Sequence, residues 1–276
     1  MTLFNRLKEH YEEALEHFDK DHIVGLFLQG SQNYGLDTPD SDVDTKLIVV
    51  PSFKDIAMNK KPVSTTHVRA NEEHIDWKDI RLYMQTFRKQ NLNFLEILFT
   101  GYSFTNSLYV NEWTRLVDAR EAIARMNPVR AVKSMKGIAL EKFHAMEHHY
   151  PSKMELIHKY GYDPKQTSHL VRVRDYLERY TQGETYEACL KPSEKYFDLI
   201  MDLKLKKYSL EEARKIALDN LNAVEKISND FCSKNKEEEN QEIAQLLEDV
   251  SYQIMKISVT KELGKTESSS HNDFLL

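Results

Sequence analysis

The chain has 276 residues, with 44 acidic against 38 basic side chains and a formal net charge of −6. That balance excludes a uniformly basic nucleic-acid coat, so any nucleic-acid contact needs a local basic patch. No apolar run reaches the roughly 18 residues of a membrane span, and the two cysteines, Cys189 and Cys232, have no partners at zinc spacing, so a reducing, cytoplasmic setting is expected.

Few Gly and Pro residues beside many Leu, Lys and Glu favour a helix-rich protein, of one large or two closely packed domains. Leu3, Phe4, Leu7, Tyr11, Ala14, Leu15 and Phe18 recur at helical spacing, giving an amphipathic first helix rather than a signal peptide. Residues 23–29 are a short apolar strand. Residues 32–36 predict one helical turn, and Asp37 to Ser41 a turn around Pro39. A second strand runs over 45–50 to Pro51, an irregular excursion over 54–63, and a third strand over 65–77.

The stretch from Gly30 to Asp44 carries the chemistry. Gly30 and Ser31 form a turn after one apolar run, and Asp42-x-Asp44 opens the next. Carboxylates two apart on a strand share a face. Oxygen ligands so placed suit Mg²⁺ or Mn²⁺. Gly30 lets the backbone approach phosphates, and the Ser31 and Ser41 hydroxyls can reach phosphate oxygens. Ser41 equally suits a cap on the turn, and Tyr34 suits the helix–sheet junction better than a base. Metal beside a phosphate cradle points to phosphoryl or nucleotidyl transfer. A third carboxylate is expected on the third strand. Asp76 fits best, with Asp79, Glu72 and Glu73 as rivals because the register is open.

Beyond Trp77 the pattern turns helical, over 79–90, 93–99 and 111–125. Pro128 suits the first turn of a helix to His149, and Pro164 that of one to Thr181. On the latter, Lys165, His169 and Arg172 fall at i, i+4 and i+7, one face with three potential cations and no acid, suited to phosphates. Arg130, Lys133 and Lys136 make a second basic stripe, which Arg174 and Arg179 extend into a track for a nucleic-acid backbone, a solvated face being the plainer reading. His144, His148 and His149 lack a geometry that demands a metal. Ser209 to Glu212 is a capping box, 234–241 a charged linker, and Ile243 to Ile257 an apolar stripe on a final helix.

The segment Gly30-Ser31-x-x-Tyr34-Gly35-x-x-Thr38-Pro39-Asp40-Ser41-Asp42-x-Asp44 resembles the nucleotidyltransferase signature of the DNA polymerase β superfamily, and most of all its RNA repair pathway DNA polymerase β family. His158 to Arg172, with Lys159-Tyr160-Gly161-Tyr162-Asp163, is similar to a second block of that family. Asn91 to Phe99 resembles a third, with Leu92 where proline is usual. The likeness runs from about Ile23 to about Ala213. It implies an α/β (α+β) fold, a small mixed-sheet nucleotidyltransferase core over 1–105 followed by a helical C-terminal half over 106–263 that completes the nucleotide and acceptor site. A disordered tail is expected over 264–276. The resemblance further implies a metal-dependent enzyme moving an NMP from an NTP such as ATP to an RNA or DNA 3′ end. Nucleotidylation of a protein or small molecule, and a non-catalytic nucleotide-binding protein, are the alternatives. Oligomeric state is not legible.

Overall fold

The strand-forming residues of the N-terminal third pair into one five-stranded mixed sheet. The computed structural model describes residues 2–39 and 41–270, and of residues 152 and 266–270 the backbone alone. Helix α1 (Leu3–His17) starts where the Thr2 hydroxyl accepts the Asn5 N–H at 3.3 Å. Strand β1 (Ile23–Gln29) runs into the one-turn helix α2 (Ser31–Tyr34), and β2 (Asp44–Val49) follows. The excursion after Pro51 holds a short helix, α3 (Phe53–Ala57).

The single strand expected over 65–77 is instead a hairpin of β3 (Ser64–Val68) and β4 (His74–Asp79). The Ala70-Asn71 turn breaks the run, and Glu72 takes a positive φ of 65° there. Helix α4 (Ile80–Arg88) is capped by Asp79, and α5 (Leu92–Leu95) by Asn91. An edge strand, β5 (Ser103–Thr105), completes the order β3-β4-β2-β1-β5. Only β2 and β4 run parallel, with Lys46 opposite Asp76; β1 and β2 are antiparallel, with Gln29 opposite Asp44.

The helical half comprises α6 (Val110–Asp118), α7 (Arg120–Ala124), α8 (Pro128–Ala145), α9 (Met154–Tyr160), α10 (Pro164–Thr181), α11 (Tyr186–Leu190), α12 (Glu194–Lys204), α13 (Leu210–Lys234) and α14 (Gln241–Ser270). Pro164 lies in the first turn of α10, capped by Asp163, and the capping box of Ser209 and Glu212 opens α13. The backbone of α14 continues past Gly264 to Ser270, where a tail is expected; residues 271–276 lie outside the described residues. No helix among the described residues is long and apolar enough to cross a membrane.

Side chains alternate across β2, and this sorts the molecule into layers. Leu47 and Val49 pack with Leu26, Ile75 and Ala14 under α1. Ile48 faces the other way, into the large core that Leu170, Val171, Leu177, Val224 and Ile254 share from the helical half. Helix α10 is the hub of that half, packed against α8, α12 and α13. Asp44 and Lys46 have the parity of Ile48, so they point toward the helical half.

Candidate active site

The cleft lies where β1 ends, β2 begins, and the helical half faces both. It is a cavity of ≈ 380 Å³. Gly30, Ser31, Ser41, Asp42, Asp44, Lys165, His169 and Arg172, all singled out from the sequence, line it; Asp76 does not.

Gly30 adopts φ 103°, a region that costs a side chain strain, and Gly35 ends α2 at φ 69°. Together they bend the chain so that Ser31 faces the cleft. A fully buried carboxylate sits beneath this loop. Glu96 Oε1 accepts the Gly30 N–H at 3.0 Å, and Oε2 accepts the Tyr34 hydroxyl. Burial pushes the Glu96 carboxyl up to about 8, against the opposing pull of Arg172 and the Gly30 amide. Tyr34 thus fills the helix–sheet junction, as expected.

The Asp42 carboxylate has no partner among the described residues, while its carbonyl accepts from the Gln32 side chain at 2.8 Å. Asp44 Oδ1 accepts the His74 N–H at 3.2 Å and lies 3.1 Å from His74 Nδ1. Ser41 takes the capping role: its hydroxyl accepts the Thr38 N–H at 2.9 Å, and Lys204 Nζ reaches the same oxygen at 3.3 Å. Mg²⁺ is commonly held by one or two carboxylates together with substrate phosphates. The pair Asp42 and Asp44 fits such an ion. No group of three His, Cys, Asp or Glu side chains able to hold a metal is present among the described residues.

Asp76 shares the sheet face of Asp44 but stands beside Lys46, one step further along. Its Oδ2 accepts from Lys46 Nζ at 2.9 Å, and its Oδ1 accepts the Thr66 hydroxyl at 2.6 Å. Its three rivals are placed elsewhere. Asp79 caps α4 and pairs with Arg81 at 2.6 Å, Glu72 is exposed at the hairpin turn, and Glu73 is buried on the α1 side. Glu73 accepts the Val43 N–H at 3.1 Å and pairs with Arg6, with Arg69 at 2.9 Å and with His10 at 2.9 Å. Burial and Arg69 hold His10 down at about 4, so it is neutral; Nε2–H then donates to Glu73 while Nδ1 accepts from Thr45.

The opposite wall carries positive charge. Lys165 is exposed, with no side-chain partner among the described residues. Arg172 is buried, its guanidinium 4.1 Å from the Tyr34 ring centroid, and its Nε has no partner among the described residues. Burial, Arg172 and Lys165 hold His169 well below its usual value. The face read as three cations is therefore two cations and a neutral imidazole at neutral pH. Three further lining residues, Lys142, Lys204 and Lys206, carry no local signal in the sequence. They come from α8, the end of α12 and the turn after it, brought to the cleft by packing on α10. Partial burial, then the ammonium of Lys165, lower Lys204 against the opposing pull of Asp37 and Asp42.

The second basic stripe does not extend this wall as a free track. Lys133 pairs with Glu237 at 2.7 Å, Arg130 with Glu237 at 3.3 Å, Lys136 with Glu225 at 3.8 Å, Arg174 with Glu178 at 3.0 Å and Arg179 with Glu184 at 2.9 Å. Among the described residues, His144, His148 and His149 form no cluster able to hold a metal.

No protein-family model matches the chain, and no curated protein matches it. Among solved structures it is similar to a nucleotidyltransferase-like protein from Exiguobacterium sibiricum 255-15. The identity is 12% over 82% of this chain and 74% of that chain, with a TM-score of 0.30. A likeness of that strength carries no argument about activity, and the functional reading rests on the cleft itself.

Proposed function

We propose that the protein is a metal-dependent nucleotidyltransferase that moves an NMP from an NTP to an acceptor hydroxyl, an RNA or DNA 3′ end, in a cytoplasmic setting. One observation carries this reading: two carboxylates, Asp42 and Asp44, face Lys142, Lys165, Arg172, Lys204 and Lys206 across a single cleft. That separation of charge matches a polyphosphate bound through a cation on one side and directly on the other. In the reaction the acceptor oxygen bonds to the α-phosphorus, the α–β anhydride bond breaks, pyrophosphate leaves and the hydroxyl proton is released.

Asp42 and Asp44 would hold Mg²⁺ or Mn²⁺, which supplies charge neutralisation at the phosphates when bound. Lys165 and Lys204 take β- and γ-phosphate oxygens, and Arg172 offers from the floor its Nε–H, which has no partner among the described residues. Ser31 presents its hydroxyl at the mouth of the Gly30 turn. Glu96, beneath that turn, fixes the Gly30 amide and so the loop's shape.

A second reading, transfer to a protein or small-molecule hydroxyl, is favoured by the carboxylate pairing of Lys133, Lys136, Arg174 and Arg179. The deciding experiment supplies each labelled NTP with Mg²⁺ or Mn²⁺ and a mixture of RNA, DNA oligonucleotides and cell protein. Label on nucleic acid is expected. Label on protein alone moves the acceptor to the second reading, and NTP binding without any transfer leaves a nucleotide-binding protein.

A further inference from the structure

We propose that the site takes one divalent cation rather than two, because the Lys46 ammonium occupies the place where a second ion would join Asp76. This rests on the nucleotidyl-transfer reading above and concerns how that site is charged. Lys46 lies two residues past Asp44 on β2, on the same sheet face, and is 1% exposed. An amine so buried needs a fixed counter-charge, and Asp76 provides it at 2.9 Å, set opposite by the parallel register.

The rest of the surroundings hold that pair in place. The Phe94 ring covers Lys46, with Nζ 4.1 Å from its centroid, and Lys78 approaches the same ring at 4.1 Å. Lys78 and Lys46 flank Asp76 with positive charge on one sheet face. The other Asp76 oxygen is taken by Thr66 at 2.6 Å. A divalent ion on Asp76 would have to displace one of these donors and then sit against the buried Lys46 ammonium, where like charges repel. Among the described residues, the two buried rivals of Asp76 are already engaged. Glu73 is bound by Arg6, Arg69 and His10 behind the strand, and Asp79 by Arg81. Asp42 and Asp44, side by side at the start of β2, are enough for one ion shared with phosphate oxygens. Lys46 thereby stands in for a second cation as a fixed positive charge beside Asp44.

The test counts bound ions rather than turnover. The full chain is saturated with a non-hydrolysable NTP analogue and titrated with Mn²⁺, free ion being read by electron paramagnetic resonance. One Mn²⁺ per chain is expected, unchanged in Asp76→Asn and rising to two in Lys46→Met, which keeps the apolar stem but releases Asp76. Two ions in the parent chain, with one lost in Asp76→Asn, overturn the inference and leave the nucleotidyl-transfer reading standing. A count that stays at one in folded Lys46→Met overturns the role given to Lys46. Zero ions in the parent chain overturn both the inference and the reading beneath it. Should Lys46→Met fail to fold, the parent and Asp76→Asn counts still decide between one ion and two.

Discussion

Glu73 accepts the backbone N–H of Val43 at 3.1 Å, so a buried carboxylate on the α1 side grips the one residue between Asp42 and Asp44. The two candidate ligands are aimed into the cleft from the front, while Arg6, Arg69 and His10 anchor the strand from behind through Glu73. Glu73→Ala leaves those partners around a hole. The expected loss of stability is about 3 kcal/mol, the scale for breaking a buried ion pair by removing one partner. Urea unfolding measures it, and a midpoint close to the parent's would show that Glu73 anchors nothing.

Asp44→Asn is expected to fold and to lose transfer by a factor of about 100 or more, since electrostatic stabilisation is often the largest catalytic contribution. Its carboxylate lines the cleft and, among the described residues, hydrogen-bonds only His74, so the fold does not depend on its charge. Labelled-NTP turnover together with circular dichroism checks this; full activity in a folded variant would refute the role of the carboxylate pair.

The buried Glu96 makes stability depend on pH in a definite direction. Its carboxyl is raised from an ordinary 4.5 to about 8 in the fold, so between those values the unfolded chain has released a proton that the folded one still holds. Stability from this group is therefore full below pH 4.5 and is lost as pH rises through 8. Glu96→Gln keeps an acceptor for the Gly30 N–H and removes the titration. Chemical denaturation of the parent at pH 6 and pH 8 is expected to show a decline that Glu96→Gln lacks; parallel curves would count against it.

Lys165 and Arg172 share a helix face but not a role. Lys165→Ala removes an exposed cation with no side-chain partner among the described residues, so the NTP KM is expected to rise with no change in melting temperature. Arg172→Ala also uncovers the Tyr34 ring and leaves Glu96 without its nearby positive charge, so weaker NTP binding and a lower melting temperature are both expected. Differential scanning calorimetry beside NTP titration separates the two. Equal melting behaviour would place Arg172 wholly in ligand binding.

Charge reversal at Lys133 and Lys136 is expected to leave acceptor use and its salt dependence unchanged, because both lysines already pair with Glu237 and Glu225. Salt dependence reports the phosphates that cations neutralise. A flattened salt slope in the double variant would instead place this stripe on a nucleic-acid path.

Local signals carried the most information in the sequence. Pro164 after Asp163, the Ser209 capping box and the apolar run of β1 each encode an element within a few residues, and the structure has those elements there. Asp42 and Asp44 both line the cleft, but only Asp44 lies within β2, so the strand parity expected for the pair covers one of the two. What was hidden depends on register and on distant packing. The Lys46–Asp76 pair joins residues 30 apart through a parallel alignment that no local pattern states. Lys142 and Lys204 reach the cleft only because α8 and α12 pack on α10. Arg172 reads as an exposed cation until Tyr34 and Glu96 are seen beneath it. The basic stripe of α8 reads as free because Glu237, its partner, lies 104 residues beyond Lys133.

Helix α14 packs against α4 and α6, and Glu262 accepts the N–H of Phe53 at 2.8 Å across 209 residues of chain. Arg88 likewise reaches Glu239 across 151 residues. During synthesis, therefore, the sheet emerges long before the segments that cover α4 and anchor the loop after β2. Contacts so remote in sequence slow folding and prolong the exposure of apolar surface. The nascent N-terminal third is the stretch most in need of a holding chaperone, and separating it genetically from the last helix would yield a sheet that aggregates rather than a minimal enzyme.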